Sequence, residues 1–333
     1  MKVTVTGASG HIGGNLVRAL LEAGHEVKAL YTKDTRPLDG LALETQKADV
    51  LDPASLETAF EGREVVFHLA GKITVNGDPD GMVNRINGEG VRNVCEAALK
   101  KGVRRLVHFS SIHAFQHNPW DQPLDETRPL CIEAPGVCLT YDASKARGEH
   151  VVREYLQKGL DAVIVNPTAV LGPIDYKPSA MGGAILMVAR KSLPMCPDAG
   201  FDWVDVRDIA RGAIAAAEKG RKGEKYLLGG KWRPFSELAG LVGKEAGVKP
   251  PSLKSPIWLA KVGVPFAVAW AGATGTRPLF TFESLTTLAT SHKDIRHTKA
   301  EKELGYSCRP LEETIADAIR WFFDHGVLSK KAA

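Results

Sequence analysis

The sequence predicts an α/β fold: a doubly wound parallel sheet with helices on both faces, plus a smaller, mostly helical C-terminal part. Three observations carry that expectation. The chain opens on an apolar strand, Lys2-Val-Thr-Val-Thr6, which runs into the glycine turn Gly7-Ala-Ser-Gly10-His-Ile-Gly13 and an amphipathic stretch from Asn15 to Gly24. Strand and helix signals then alternate as far as Ser111, as strands joined by crossover helices require. Tyr141-Asp-Ala-Ser-Lys145 then opens a further helix whose spacing of four puts a phenol and an ammonium on one face, where the charge is expected to lower the phenol's pKa.

The opening turn has the spacing of a dinucleotide site, with backbone N–H groups from Ser9 to Ile12 gathered at a helix N-terminus, where the dipole favours a phosphate. Gly7, Ala8, Ser9, Gly10, His11, Ile12 and Gly13 are the candidate cofactor residues there. His25 to Tyr31 reads as the second strand. Its tip carries Tyr31-Thr-Lys33-Asp34-Thr-Arg36 in place of the acid that usually takes ribose hydroxyls. Lys33 and Arg36 therefore favour NADP(H) over NAD(H), with Asp34 arguing the other way.

Lys47 to Phe60 reads as a third strand running into a capped helix, and Val65-Val-Phe-His-Leu-Ala-Gly71 as a buried parallel strand that stops at glycine. His68 inside it is structural. Asn87 to Leu99 continues as a helix with Asn87 at its N-cap, and Val103 to Ser111 is the next strand, ending in a serine pair. Beyond the helix from Tyr141 to Gly159, helical spacing recurs at Val206–Lys219, Phe235–Ala246 and Leu311–Phe323, with a strand at Lys225–Leu228. The apolar run from Ile257 to Gly272 is broken by Lys261, Gly263 and Pro265, which predicts paired helices under a cleft, not a spanning segment.

The totals exclude several classes. With 333 residues, 44% hydrophobic and 25% charged, the chain has globular composition and room for two domains. A net charge of +4 without a basic block does not call for nucleic acid. The five cysteines lack Cys-x-x-Cys spacing, and no cluster has metal-ligand spacing, so a reduced cytoplasmic protein without a metal is expected. The first strand leaves no room for a leader.

Taken together, Thr6 to Gly13, Asp49-Val-Leu-Asp52, His68-Leu-Ala-Gly71, Asn87 to Asn93, Phe109-Ser-Ser111 and Tyr141 to Lys145 resemble the extended short-chain dehydrogenase/reductases, in order and over nearly the whole chain. The resemblance implies a Rossmann domain at 1–168 with 203–230, a substrate domain at 169–202 with 231–326, and a tail at 327–333. It implies a catalytic serine, tyrosine and lysine: Ser111, Tyr141 and Lys145, with Ser111 chosen over Ser110 because Ser-Ser-Ile-His-Ala-Phe is most similar to the reductase and hydroxysteroid-dehydrogenase form. It also places Asp49 and Val50 at the adenine, and Leu69, Ala70, Gly71, Pro167, Thr168 and Val170 along the cofactor. His113, Asn166 and Trp203 are the substrate-binding candidates.

The segment from Asp161 to Pro173 is similar to the dihydroflavonol-reductase-like branch and the hopanoid-associated epimerase group. A carbonyl reductase or alcohol dehydrogenase acting on a small molecule is the expectation. A nucleotide-sugar epimerase or dehydratase, with Arg190, Arg207 or Arg277 clamping a diphosphate, is the first alternative, and a non-catalytic NADP sensor the second. A homodimer through Rossmann helices follows from the resemblance alone.

Overall fold

The structure, a computed structural model, describes residues 1–75, 77–274 and 281–329, with the backbone alone at 266–274. Arg277 and the last four residues lie outside it.

Seven strands form the central sheet: β1 (Lys2–Thr6), β2 (Glu26–Tyr31), β3 (Glu44–Lys47), β4 (Val65–His68), β5 (Arg105–Phe109), β6 (Ala162–Pro167) and, later in the chain, Lys225–Leu228. All neighbours pair in parallel. Three further short strands intervene, β7 (Ala169–Leu171), β8 (Cys196–Pro197) and β9 (Gly200–Asp205), so Lys225–Leu228 is β10. The order across the sheet is β10-β6-β5-β4-β1-β2-β3. After β1 the chain builds outward through β2 and β3, then crosses back to lay β4 on the other side of β1. The carboxyl ends of β1 and β4 thus flank the switch point, where ligands bind in open α/β sheets.

Period-two alternation decides which side each strand residue serves. Along β6, Val163 and Val165 enter one core and Ala162 and Ile164 the other. The first core packs under α1 (His11–Glu22) and the helix Val206–Lys219, through Leu16, Val17, Leu20, Ile209 and Ala213. The second packs under α2 (Pro53–Phe60), the helix Gly90–Lys100 and the helix Thr140–Gln157, through Leu56, Val94 and Val152. With the one-turn α3 (Met82–Asn84) counted, these become α4 (Gly90–Lys100) and α5 (Thr140–Gln157); α6 (Ala180–Ala189) precedes α7 (Val206–Lys219).

A smaller sheet lies beyond. Here β9 pairs with β7 in parallel and with β11 (Lys231–Pro234) in antiparallel register, while β8 pairs with β12 (Lys254–Ser255). It shares a third core with α6, α8 (Phe235–Ala246) and the helix Leu311–Asp324 through Trp203, Leu238 and Phe322. The remaining helices are α9 (Ile257–Thr274), α10 (Phe282–Ala289) and α11 (Thr298–Leu304), which make Leu311–Asp324 α12.

Four expectations need correction. The third strand ends at Lys47, before Asp49, because Asp49 turns the chain by accepting from the Leu51 N–H. The run at 257–272 is one helix, not two: Pro265 lies inside α9 and bends no second helix out of it. Among the described residues no helix is long and apolar enough to cross a membrane. The cysteines are not all free, since Cys131 and Cys138 form a disulfide. The loop between them folds back ahead of α5 and brings their Cα atoms to 5.5 Å, a proximity their spacing of seven does not announce. Finally, Asn87 is no N-cap but lies inside a wide helical turn, Arg85–Glu89, between α3 and α4.

Helix α1 lies so close to β1 that a Cβ at Gly13 would stand 2.2 Å from the Gly7 carbonyl oxygen and 2.8 Å from Ala8 Cα. Both neighbours are backbone, so neither can yield by a rotamer change. Gly13→Ala is therefore expected to cost about 1–3 kcal/mol in urea unfolding. Gly24→Ala, where nothing stands within 4 Å but φ is +77°, is expected to cost only its backbone strain, about 1 kcal/mol.

Candidate active site

A cleft of about 540 Å³ opens where β1, β4, β5 and β6 end, and its wall includes the glycine turn, the serine pair and the start of α5. Thr6 and Gly7 shape its floor. The Thr6 hydroxyl accepts from the Leu69 and Ala70 N–H groups, each at 3.1 Å, and lies 2.8 Å from His68 Nδ1. With two donors already on its oxygen, the hydroxyl gives its own proton to His68, which places the imidazole proton on Nε2. Gly7 has φ +66°, and a Cβ on it would meet the Ala70 nitrogen at 2.7 Å. The two strand ends thus close on each other as only a glycine permits.

Above that floor, α1 begins without a side-chain cap at Gly10. The first-turn N–H groups are therefore left for an anion. Gly7, Gly10, His11, Ile12 and Gly13 line the cleft, and His11 Nε2 lies 3.1 Å from the Pro173 carbonyl. Ala8 is buried, its N–H donating to Leu30, and Ser9 is half-buried. Leu69 and Gly71 line the cleft after β4, as do Pro167, Thr168 and Val170 after β6. Ala70 lies behind them against the second core. Asn87 holds this wall: its Oδ1 accepts from the Lys72 N–H at 2.8 Å, and its Nδ2 donates to the Lys72 carbonyl and the Ser144 hydroxyl.

The candidate catalytic side chains meet at the end of β5 and the start of α5. Ser111 Oγ accepts from the His113 N–H at 3.2 Å, and it shares the cleft wall with Tyr141, close enough to act on the phenol. The Ser110 hydroxyl, by contrast, is buried without a partner. Burial pushes the Tyr141 phenol up to about 12, with the Ser111 hydroxyl opposing. That differs from the sequence expectation of a phenol lowered by lysine. Lys145 Nζ donates to the Phe109 carbonyl at 2.6 Å, and burial brings the ammonium down to about 8.

His113 Nδ1 faces Asp142 Oδ1 at 3.4 Å, and its ring centroid lies 5.9 Å from those of Tyr141 and His117. Burial lowers His113 to about 4 and raises Asp142 to about 6. Trp203 lines the cleft from the third core, its Nε1 donating to the Arg233 carbonyl.

Asn166 does not reach the cleft. It is fully buried, and its Nδ2 bridges the Ser111 carbonyl at 3.1 Å and Glu149 Oε1 at 2.6 Å. Glu149, itself fully buried, faces Lys225 Nζ at 3.4 Å through its other oxygen. Its charge opposes the loss of the Lys145 proton. Sequence reasoning missed this carboxylate although the signal was present: Glu149 follows Lys145 by the same stride of four that joins Lys145 to Tyr141. Lys225, on the distant β10, carried no signal at all.

The outer candidates sit apart. Lys33 and Arg36 are exposed beyond β2, and Arg36 forks onto both oxygens of Asp34 at 2.9 and 2.6 Å. Asp49 is exposed, and the Val50 side chain is buried against α4. Arg190 donates to the Val327 carbonyl, and Arg207 is held by Asp205 and Asp317, so neither is placed as a diphosphate clamp. Among the described residues no group of His, Cys, Asp and Glu could hold a metal.

A model of the NAD dependent epimerase/dehydratase family matches residues 3–229. The chain is 33% identical over 334 residues to sterol demethylase protein B of Methylococcus capsulatus, covering 98% of this chain and all of that protein. It is 35% identical over 258 residues to cinnamoyl-CoA reductase 1 of Oryza sativa subsp. japonica, covering 71% of this chain and 73% of the relative. The crystal structure of gox2253 superimposes with a TM-score of 0.84 at 34% identity, over 98% of this chain and 99% of that one. The chain belongs to the NAD dependent epimerase/dehydratase family.

The Glu149 contact has a readout that needs no substrate. Lys145 is lowered, so its ammonium is full well below about 8 and lost as pH rises through that value. Competitive amine labelling of the free protein should titrate Lys145 near there. Glu149→Gln removes the charge that opposes deprotonation, so the titration should move to lower pH; an unmoved curve would mean that Glu149 does not act on Lys145.

Proposed function

From that membership, we propose that the protein is an NAD(P)-dependent oxidoreductase that interconverts a ketone or aldehyde and its alcohol on an apolar small molecule. The carrying observation is that Ser111, Tyr141 and, one turn along α5, Lys145 line the same cleft that the glycine turn floors. The turn fits a dinucleotide: Gly7 and Gly13 stand where a Cβ would strike backbone, and the start of α1 has no side-chain cap to compete with a phosphate.

A bound nicotinamide supplies or takes the hydride at the carbonyl carbon. The rest falls to the protein. Tyr141, fully protonated at neutral pH, gives its proton to the carbonyl oxygen in reduction and recovers it in oxidation. Ser111 steadies the same oxygen by a hydrogen bond. Lys145 would hold the ribose hydroxyls, and its charge favours the phenolate that remains after proton transfer. His113, uncharged at neutral pH, would meet a polar substituent of the substrate as a hydrogen-bond partner.

Outward from this centre the cleft is lined by Met181, Met187, Leu193, Phe201, Phe235 and Leu288. Such a wall suits an apolar carbonyl compound better than a sugar diphosphate, and Arg190 and Arg207 are engaged elsewhere. The relatives named for sterol demethylation and cinnamoyl-CoA reduction accord with that choice. NADP(H) is the preferred cofactor in this reading, with Arg36 and Lys33 at the 2′-phosphate and Asp34 as its competitor for the Arg36 fork.

Tyr141→Phe should lower kcat roughly 10²–10⁴-fold against a carbonyl panel while cofactor affinity changes little. Retained turnover would refute the tyrosine's role. Arg36→Ala should lower kcat/KM for NADPH by about tenfold and leave NADH nearly unaffected, whereas Asp34→Asn should shift the preference toward NADPH. Equal losses with both cofactors would remove Arg36 from the phosphate site.

A further inference from the structure

Half of the large hydrophobic side chains exposed among the described residues, five of ten, fall between Leu253 and Phe282. Trp258 is 68% exposed, Leu253 64%, Val262 59%, Phe282 55% and Leu259 40%. Trp258, Val262 and Pro265 repeat at helical spacing on α9, with Leu259 beside them, so they form one face. The sequence of α9 is apolar nearly all round, and a helix of that kind is normally covered on every side. Here Val264 is buried while this face is left in solvent.

Along the chain, the charges within this stretch are of one sign. From Ala246 to Phe282 the sequence contains no Asp or Glu, although Glu245 and Glu283 stand directly outside that stretch. Within it, Lys249 and Lys254 are exposed and Lys261 is half-buried beside Val262. Apolar side chains including a tryptophan, accompanied by lysines and free of acids, match the requirements of an anionic lipid surface: burial in the acyl boundary, an indole at the headgroups, and cations on the phosphates. A second copy of this chain would bring lysine against lysine.

We propose that the exposed face of α9, with Leu253, Lys254 and Phe282, docks this protein on the surface of an anionic lipid bilayer. The face is continuous with the cleft, since α9 packs on α10, and Leu285 and Leu288 of α10 line the cleft wall. Docking there would hold the apolar cleft near the phase in which apolar molecules dissolve. The proposed contact is peripheral, since Lys261 and Pro265 interrupt the apolar run of α9.

The test uses the full chain and no substrate, so its outcome is separate from that of the proposed reaction. Flotation with phosphatidylcholine vesicles containing phosphatidylglycerol should carry the protein upward, with binding weakened by salt and by omitting phosphatidylglycerol. Trp258→Ser with Val262→Ser, and separately Lys254→Glu with Lys261→Glu, should each weaken partitioning at least about tenfold, with unchanged circular dichroism and melting temperature. Absence of wild-type flotation, or flotation untouched by both variants, overturns the proposal. So does sedimentation velocity showing a dimer that the Trp258/Val262 variant dissociates, for the face would then belong to a second copy.

Discussion

The structure depends on the closeness of two strand ends. Where β1 gives way to Gly7 and β4 to Leu69, no side chain fits between them, and the Thr6 hydroxyl accepts from both the Leu69 and Ala70 N–H groups. A buried N–H without an acceptor would cost more than the threonine hydrogen bond gains, so the contact tolerates little change. Because this junction is also the point where the sheet reverses its direction of growth, it fixes the cleft floor at the one place where helix N-terminus and strand ends converge. The position of α1 on its glycines follows from the same closeness.

A second constraint works beneath Lys145. An ammonium taken into a protein interior tends to lose its proton, as burial brings this one down to about 8. The buried Glu149 works against that tendency, and its own charge is balanced by Lys225 and hydrogen-bonded by Asn166. Asn166 also holds the Ser111 carbonyl, so one buried carboxylate acts on both arms of the site: on the serine by way of the Asn166 amide, on the lysine through its field. Two uncharged histidines complete the surroundings, for a protonated His68 or His108 would face Lys145 in a dry interior.

How much of this could be read in the sequence depends on how far apart the cooperating residues lie. The glycine turn, the parallel strands and the Tyr141–Lys145 stride are local patterns with a fixed period, and the fold carries each where the pattern placed it. Asn166 shows the limit. The sequence made it a substrate-binding candidate, yet within β6 its amide points to Glu149 on α5, and only the packing of α5 against β6 decides that. Asn87 misled for a related reason: an asparagine opening a helical run reads as a cap, whereas a wide turn inside the helix offers its amide to Lys72 and Ser144. The Cys131–Cys138 pair, closed by a loop without periodicity, left no signal.

The edge of the site obeys different physics from its centre. At the centre, burial outweighs every charge: it raises Tyr141, lowers Lys145 and keeps His113 neutral. At the tip of β2, Arg36 is exposed and its fork rests on Asp34 in solvent, where an ion pair is worth little and exchanges readily for a stronger anion. A dianionic phosphate arriving there would have to displace only one carboxylate from a guanidinium, with no rearrangement of packed side chains. If Arg36 takes the 2′-phosphate as proposed, cofactor choice is alterable at Asp34 and Arg36 without disturbing the proposed proton transfer, because the two sites share no partner and differ in dielectric.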